Sequence, residues 1–150
     1  MIAIRRARRE DIPGILAVFA HDEHGGHREA TDPAPLHVYE TAFGRIEADP
    51  NTALYVALED EDIVGTFQLQ YLSGLIDHGR TTAKIESVHV LERRRGQGIG
   101  KAMLAVAIDE ARRAGASAMT LSSNKKRLRA HEFYRDLGFE QSHEAFRIAL

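Results

Sequence analysis

Val88-His89-Val90-Leu91-Glu92-Arg93-Arg94-Arg95-Gly96-Gln97-Gly98-Ile99-Gly100-Lys101 runs from a β-branched stretch through a basic, glycine-rich turn into a helical pattern. Glycines let successive backbone N–H groups converge on one point without Cβ obstruction. The helix that follows adds its unpaired N-terminal donors and the positive end of its dipole. The stretch therefore reads as a cradle for a phosphate group. Two common phosphate turns fail on spacing. A dinucleotide fingerprint, GxGxxG, needs glycine where Lys101 stands. A Walker A loop needs glycine where Arg95 stands, and Ser or Thr where the chain has Ala102.

Around the cradle, the pattern predicts a strand from Ala83 to Leu91 and a helix from Gly98 to Ala114. Leu104, Ile108 and Ala111 share one face of that helix, Lys101, Asp109, Arg112 and Arg113 are left to solvent, and Gly115 suits its C-cap. Upstream, Ile2 to Ala7 reads as a strand. Ile12, Ile15, Leu16 and Phe19 then recur at helical spacing, with Pro13 in the first turn where proline is tolerated. His21 to Pro35 reads as a loop, followed by a second helix ending near Ala48. Ala53 to Leu58 and Ile63 to Tyr71 form a predicted hairpin across the polar turn Glu59-Asp60-Glu61-Asp62. Downstream come a strand from Met119 to Ser123, a helix from Lys125 to Leu137 stopped by Gly138 with Phe139 packing back, and a last strand from Glu144 to Leu150.

The spacing that survives, Arg95-x-x-Gly98-x-Gly100, resembles the (Gln/Arg)-x-x-Gly-x-(Gly/Ala) acetyl-CoA signature of the GNAT, or GCN5-related N-acetyltransferase, superfamily. Leu121-Ser122-Ser123-Asn124 followed by Ala130-His131-Glu132-Phe133-Tyr134-Arg135-Asp136-Leu137-Gly138-Phe139 resembles that family's second signature, in the expected order. The resemblance extends from about Ile63 to Leu150. It implies an α/β (α+β) fold in one domain over residues 1–150, with a mixed, mostly antiparallel central sheet flanked by helices in the order βααβββαβαβ. It also implies transfer of an acetyl group from acetyl-CoA directly to a primary amine of a small molecule or peptide.

At 150 residues, 43% hydrophobic and 28% charged, the chain fits one compact domain with a sizeable core. A net charge of -2 argues against a protein built to hold nucleic acid. The absence of cysteine removes disulfides, zinc-thiolate sites and an acyl-cysteine intermediate. Met1 to Arg6 lacks the apolar core of a secretory signal, and no run approaches the ~18 apolar residues of a membrane span, so a cytoplasmic protein without a membrane partner is expected. Monomer and homodimer both stay open.

Direct acetyl transfer needs a neutral amine, stabilisation of the developing oxyanion and a proton for the departing thiolate. An alkylammonium of pKa about 10.4 must lose a proton first. Glu86, mid-strand and open to partial burial, is the candidate base, set against the plainer reading of a strand glutamate paired with Lys84 or Arg93. His89 could also titrate near neutrality, but strict alternation sends it to the face opposite Glu86, where a packed histidine is expected. Tyr134 resembles the family's tyrosine near the coenzyme sulfur and would protonate the thiolate. The alternative for it is simple packing on its helix's apolar face.

For the cofactor, the resemblance assigns the cradle Arg95, Gly96, Gln97, Gly98, Ile99, Gly100 and Lys101, the main chain of Val88, His89 and Val90 along the pantetheine arm, and Asn124 at the end of the next strand. Asn124 reads equally as an N-cap of the following helix. Lys125, Lys126, Arg127 and Arg129 would approach coenzyme phosphates or form a solvated helix surface. His21, His24 and His27 recur every third residue, yet Gly25-Gly26 breaks the helix that would gather them, and no metal site is expected. Asp22, Glu23 and Glu29 could rim a cationic substrate or belong to a charged loop. A non-catalytic acyl-CoA-binding regulatory module is the competing functional class.

Overall fold

The computed structural model describes residues 1–20, 28–30 and 32–150. They form two compact units, Met1–Thr120 and Leu121–Leu150. The first unit contains β1 (Ile2–Arg6), α1 (Ile12–Ala20), α2 (Leu36–Ala48), β2 (Thr52–Glu59), β3 (Asp62–Ser73), β4 (Thr81–Val90), α3 (Ile99–Arg113) and β5 (Met119–Thr120). The second contains α4 (Leu128–Asp136). The sheet runs in sequence order, β1-β2-β3-β4-β5, with antiparallel pairs except the parallel β4–β5 pair. This is the expected mixed, mostly antiparallel α/β architecture.

Alternation gives the sheet two buried faces. On one, Val56 and Leu58 pack with Ile15 of α1, joined by Leu54, Ile63 and Phe19. Gly14 lets α1 lie directly on β3, since a Cβ there would fall 2.7 Å from Ile63 Cδ1. On the other face, the register partners Tyr55 and Phe67 stack at 4.8 Å between ring centroids, and Leu69, Ala83 and Ile85 are fully or almost fully buried. That face receives α3. Gly65 is opposite Val90, and a Cβ on it would meet Met103 Sδ at 2.9 Å and the His89 carbonyl at 3.2 Å. Apolar surface removed from water on both faces, at roughly 25 cal/mol per Å², holds this unit together.

Both predicted glycine stops are formed. After α3, Gly115 at φ 81 donates to Arg112 O and Ala116 donates to Ala111 O. After α4, Gly138 at φ 96 donates to Arg135 O and Phe139 to Tyr134 O. These are paired Schellman bonds, and the Phe139 ring packs edge-on against Tyr134 at 5.9 Å.

Three expectations are corrected. β5 ends at Thr120, short of Ser123, and α4 begins at Leu128 because residues 124–127 form turns instead. The expected strand Glu144–Leu150 is not formed: these residues are exposed and outside helix or strand, with Phe146 94% and Ile148 83% accessible. The alternation of Phe146, Ile148 and Leu150 has the strand period, but a strand exists only where a neighbour takes its backbone groups, and among the described residues none does.

Candidate active site

β4 delivers the chain into the cradle. A 3-10 turn, Glu92–Arg94, and the left-handed glycines Gly96 (φ 72) and Gly98 (φ 83) reverse it into α3, with Gly98 as N-cap. Among the described residues, no intrachain acceptor takes the N–H groups of Gly96, Gln97, Gly98, Ile99, Gly100 and Lys101. This row of unspent donors at the head of a 15-residue helix fits an anionic ligand such as a pyrophosphate. The arginines just before it turn back on the protein. Arg94 pairs with Glu59, and Arg95 Nε donates to Val90 O at 3.2 Å. The cradle is thus main chain, with Lys101 exposed at its rim.

β5 meets β4 only at Ala83 and Lys84, so among the described residues the outer edge of β4 has no strand neighbour beyond Lys84. Val88, His89 and Val90 differ along that stretch. His89 is opposite Thr66 and Leu91 N–H donates to Val64 O, which turns both main chains towards β3, while Val90 offers its carbonyl on the other side, to Arg95.

The expected separation of Glu86 and His89 is wrong. Gln68 is opposite Glu86 and Thr66 is opposite His89, so Phe67 of β3 faces two residues of β4, Ser87 and Val88. The extra residue is a β-bulge, with Ser87 at φ 52, and it resets the alternation. Antiparallel partners share a face, which places Lys84, Glu86 and His89 with Gln70, Gln68 and Thr66 on the α1 side of the sheet. His89 is buried there, edge-on to Phe19 at 5.1 Å. Thr66, fully buried, donates its hydroxyl to Tyr55 O at 2.8 Å. Glu86 Oε1 lies 2.8 Å from Lys84 Nζ, with the two side chains 38% and 36% exposed. A polar strip thus continues the sheet face from the apolar cluster under α1, with an ion pair at its open end.

The sequence did not single out the Arg5–Asp11 pair. Arg5, on the same sheet face, is held by both oxygens of Asp11 at 2.7 and 3.0 Å, and Asp11 Oδ2 also accepts the Arg8 N–H at 2.7 Å. The hydrogen bond from Arg5 is the main cause that holds the Asp11 carboxyl below its ordinary range, against the opposing effect of burial. The same contact raises Arg5. A basic residue at the fourth position of an unremarkable five-residue strand and an aspartate in the next turn carry no motif, so only the geometry reveals them.

In the second unit, Asn124 Oδ1 accepts the Lys126 N–H at 3.0 Å and its carbonyl accepts from Arg127 N–H and lies 2.9 Å from His131 Nε2. Arg127, not Asn124, is the N-cap of α4. Burial pushes the Tyr134 phenol up, with Arg127 pulling weakly the other way, so the group holds its proton through the neutral range. Lys125, Lys126 and Arg129 are exposed. Asp22, Glu23 and the histidines 21, 24 and 27 lie outside the described residues; Glu29 accepts the Tyr39 hydroxyl at 3.2 Å. Among the described residues no three His, Asp or Glu side chains gather as a metal-ligand set, and no helix is long and apolar enough to cross a membrane.

Residues 7–139 match the family model described as Acetyltransferase (GNAT) family. An aminoalkylphosphonate N-acetyltransferase of Salmonella typhimurium (strain LT2) is 41% identical over 147 residues, covering 98% of this chain and 90% of that protein. Among solved structures, a transcriptional regulator from Bacillus halodurans C-125 superposes with a TM-score of 0.93 at 35% identity, and a Trypanosoma brucei acetyltransferase with 0.82 at 25%. Each comparison covers the whole of both chains.

Proposed function

Because the chain belongs to the GNAT acetyltransferase family and is an N-acetyltransferase, we propose that it acetylates the amine of an aminoalkylphosphonate, using acetyl-CoA held at Gly96–Lys101. The observation that carries this reading is the 41% identity, sustained over 98% of the chain, to an enzyme named for that substrate. The competing module without catalysis loses its ground with the family assignment.

When bound, acetyl-CoA supplies an acetyl group activated as a thioester. The free N–H groups of Gly96 to Lys101 would hold its pyrophosphate, and the open edge of β4 would pair with amide groups of its pantetheine arm. Glu86, half-exposed on the polar strip, accepts the proton that the substrate ammonium must lose before nitrogen can attack. Tyr134 would donate the proton that the leaving thiolate needs, a role supported by a phenol that burial keeps protonated. Asn124 belongs to the arm-binding set by its place in the second signature.

The test follows thiol release with acetyl-CoA and a panel of amines matched in length. 2-Aminoethylphosphonate is expected to exceed propylamine in kcat/KM by at least about tenfold, the ratio that ~1.4 kcal/mol of charge recognition gives. Equal turnover of the two, or turnover confined to uncharged amines, refutes the substrate class. Tyr134→Phe lowers kcat with little change in KM if the phenol supplies the proton; undiminished kcat removes that role.

A further inference from the structure

We infer that Lys84 is the receptor for the anionic end of the substrate, and that the Lys84–Glu86 ion pair is the resting form of a two-charge site for a zwitterion. This rests on the aminoalkylphosphonate reading above. Two facts make the pair more than surface decoration. Lys84 and Glu86 are two residues apart on β4 before the bulge, so they share the α1-side face with Gln68 and Gln70, their register partners. Their charged ends meet at 2.8 Å while each side chain keeps over a third of its surface open. A charge pair at that distance and exposure can be opened without stranding either member in a dry interior.

A compound carrying an ammonium and a phosphonate two carbons apart presents the same two charges in complementary order. Its ammonium replaces Lys84 on Glu86, and its phosphonate replaces Glu86 on Lys84, so one ion pair is exchanged for two. No other described cation on this face is placed for the task. Arg5 is committed to Asp11 through two hydrogen bonds, and His89 is buried under Phe19. The exchange also has a catalytic corollary: the anion draws the lysine away from Glu86, leaving that carboxylate to the amine. An uncharged amine must compete with Lys84 for it. A dianionic phosphonate is favoured over a carboxylate by the greater charge it offers one ammonium.

The experiment compares wild type, Lys84→Met and Lys84→Arg on 2-aminoethylphosphonate and propylamine, and titrates ethylphosphonate, which lacks the amine, into each protein by calorimetry. Lys84→Met is expected to lower the preference for the phosphonate over propylamine tenfold or more and to weaken ethylphosphonate binding by a similar factor. Lys84→Arg keeps the charge and restores most of both. A thermal melt establishes folding, and should Lys84→Met fail to fold, Lys84→Gln takes its place. If wild type prefers the aminoalkylphosphonate but Lys84→Met keeps that preference and its ethylphosphonate affinity, the inference is overturned and the substrate class stands. If wild type shows no preference for the phosphonate and does not bind ethylphosphonate, both fall.

Discussion

Replacing Gly98 separates the backbone geometry of the cradle from its charge. Gly98 is at φ 83 and ψ 2, and a Cβ added there meets nothing within 4 Å, so the cost of Gly98→Ala is torsional, not steric. An L-residue in the left-handed region costs roughly 1–2 kcal/mol, from which about 0.4–1 kcal/mol is recovered because alanine restricts the unfolded chain. The net, about 1 kcal/mol, lowers Tm by roughly 3 °C for a chain of 150 residues. Gly98→Glu carries the same strain and adds a carboxylate beside six free N–H groups, from Gly96 to Lys101. A phosphate charge about 5 Å away is repelled by roughly 3 kcal/mol at an effective dielectric near 20. Affinity for acetyl-CoA is expected to fall by a factor on the order of 100 or more, partly relieved by salt. Calorimetric titration at two ionic strengths, with thermal melts on the same samples, reads both effects. A Gly98→Glu protein that melts within a few degrees of wild type and binds acetyl-CoA as tightly would refute the cradle.

Two further perturbations probe the scaffold. Ser87→Val forces a β-branched residue to φ 52 and is expected to cost about 2 kcal/mol, whereas Ser87→Gly stays within roughly 0.5 kcal/mol of wild type. Equal urea midpoints for the two variants would sink the bulge. Asp11→Asn leaves Arg5 without its carboxylate and is expected to cost about 2 kcal/mol at neutral pH. Because the folded carboxyl titrates below its unfolded value near 3.9, this contribution is fully present above pH ~4 and is lost as pH falls through the folded value. Denaturation curves should therefore show the gap between wild type and Asp11→Asn closing in acid; a constant gap refutes the linkage.

The sequence carried the fold where a local rule was strong. Pro13 in a first turn, the turn residues between Glu59 and Asp62, and Gly115 and Gly138 each act through their own backbone preferences, and each marks a boundary found in the structure. It failed where a partner at long range decides. Phe146, Ile148 and Leu150 have strand alternation but no neighbouring strand among the described residues. The site shows the same division. The glycine spacing of the cradle was legible because main-chain geometry is written in residue type. The placing of His89 on the face of Glu86 was not, because Ser87 is an ordinary residue in an unusual conformation imposed by pairing with β3. Parity arguments along a strand hold only until the first bulge.

The outer edge of β4 beyond Lys84 has a colloidal consequence. A row of peptide groups without a neighbour is a template, and a template does not distinguish the amides of a coenzyme arm from the backbone of another polypeptide. Natural sheets usually blunt such an edge with charge or proline; here the stretch from Ile85 to Val88 carries a single carboxylate, Glu86, already paired with Lys84. On the proposed reading, occupancy of this edge by acetyl-CoA is also a form of guarding, and resistance to self-association is expected to rise with acetyl-CoA concentration.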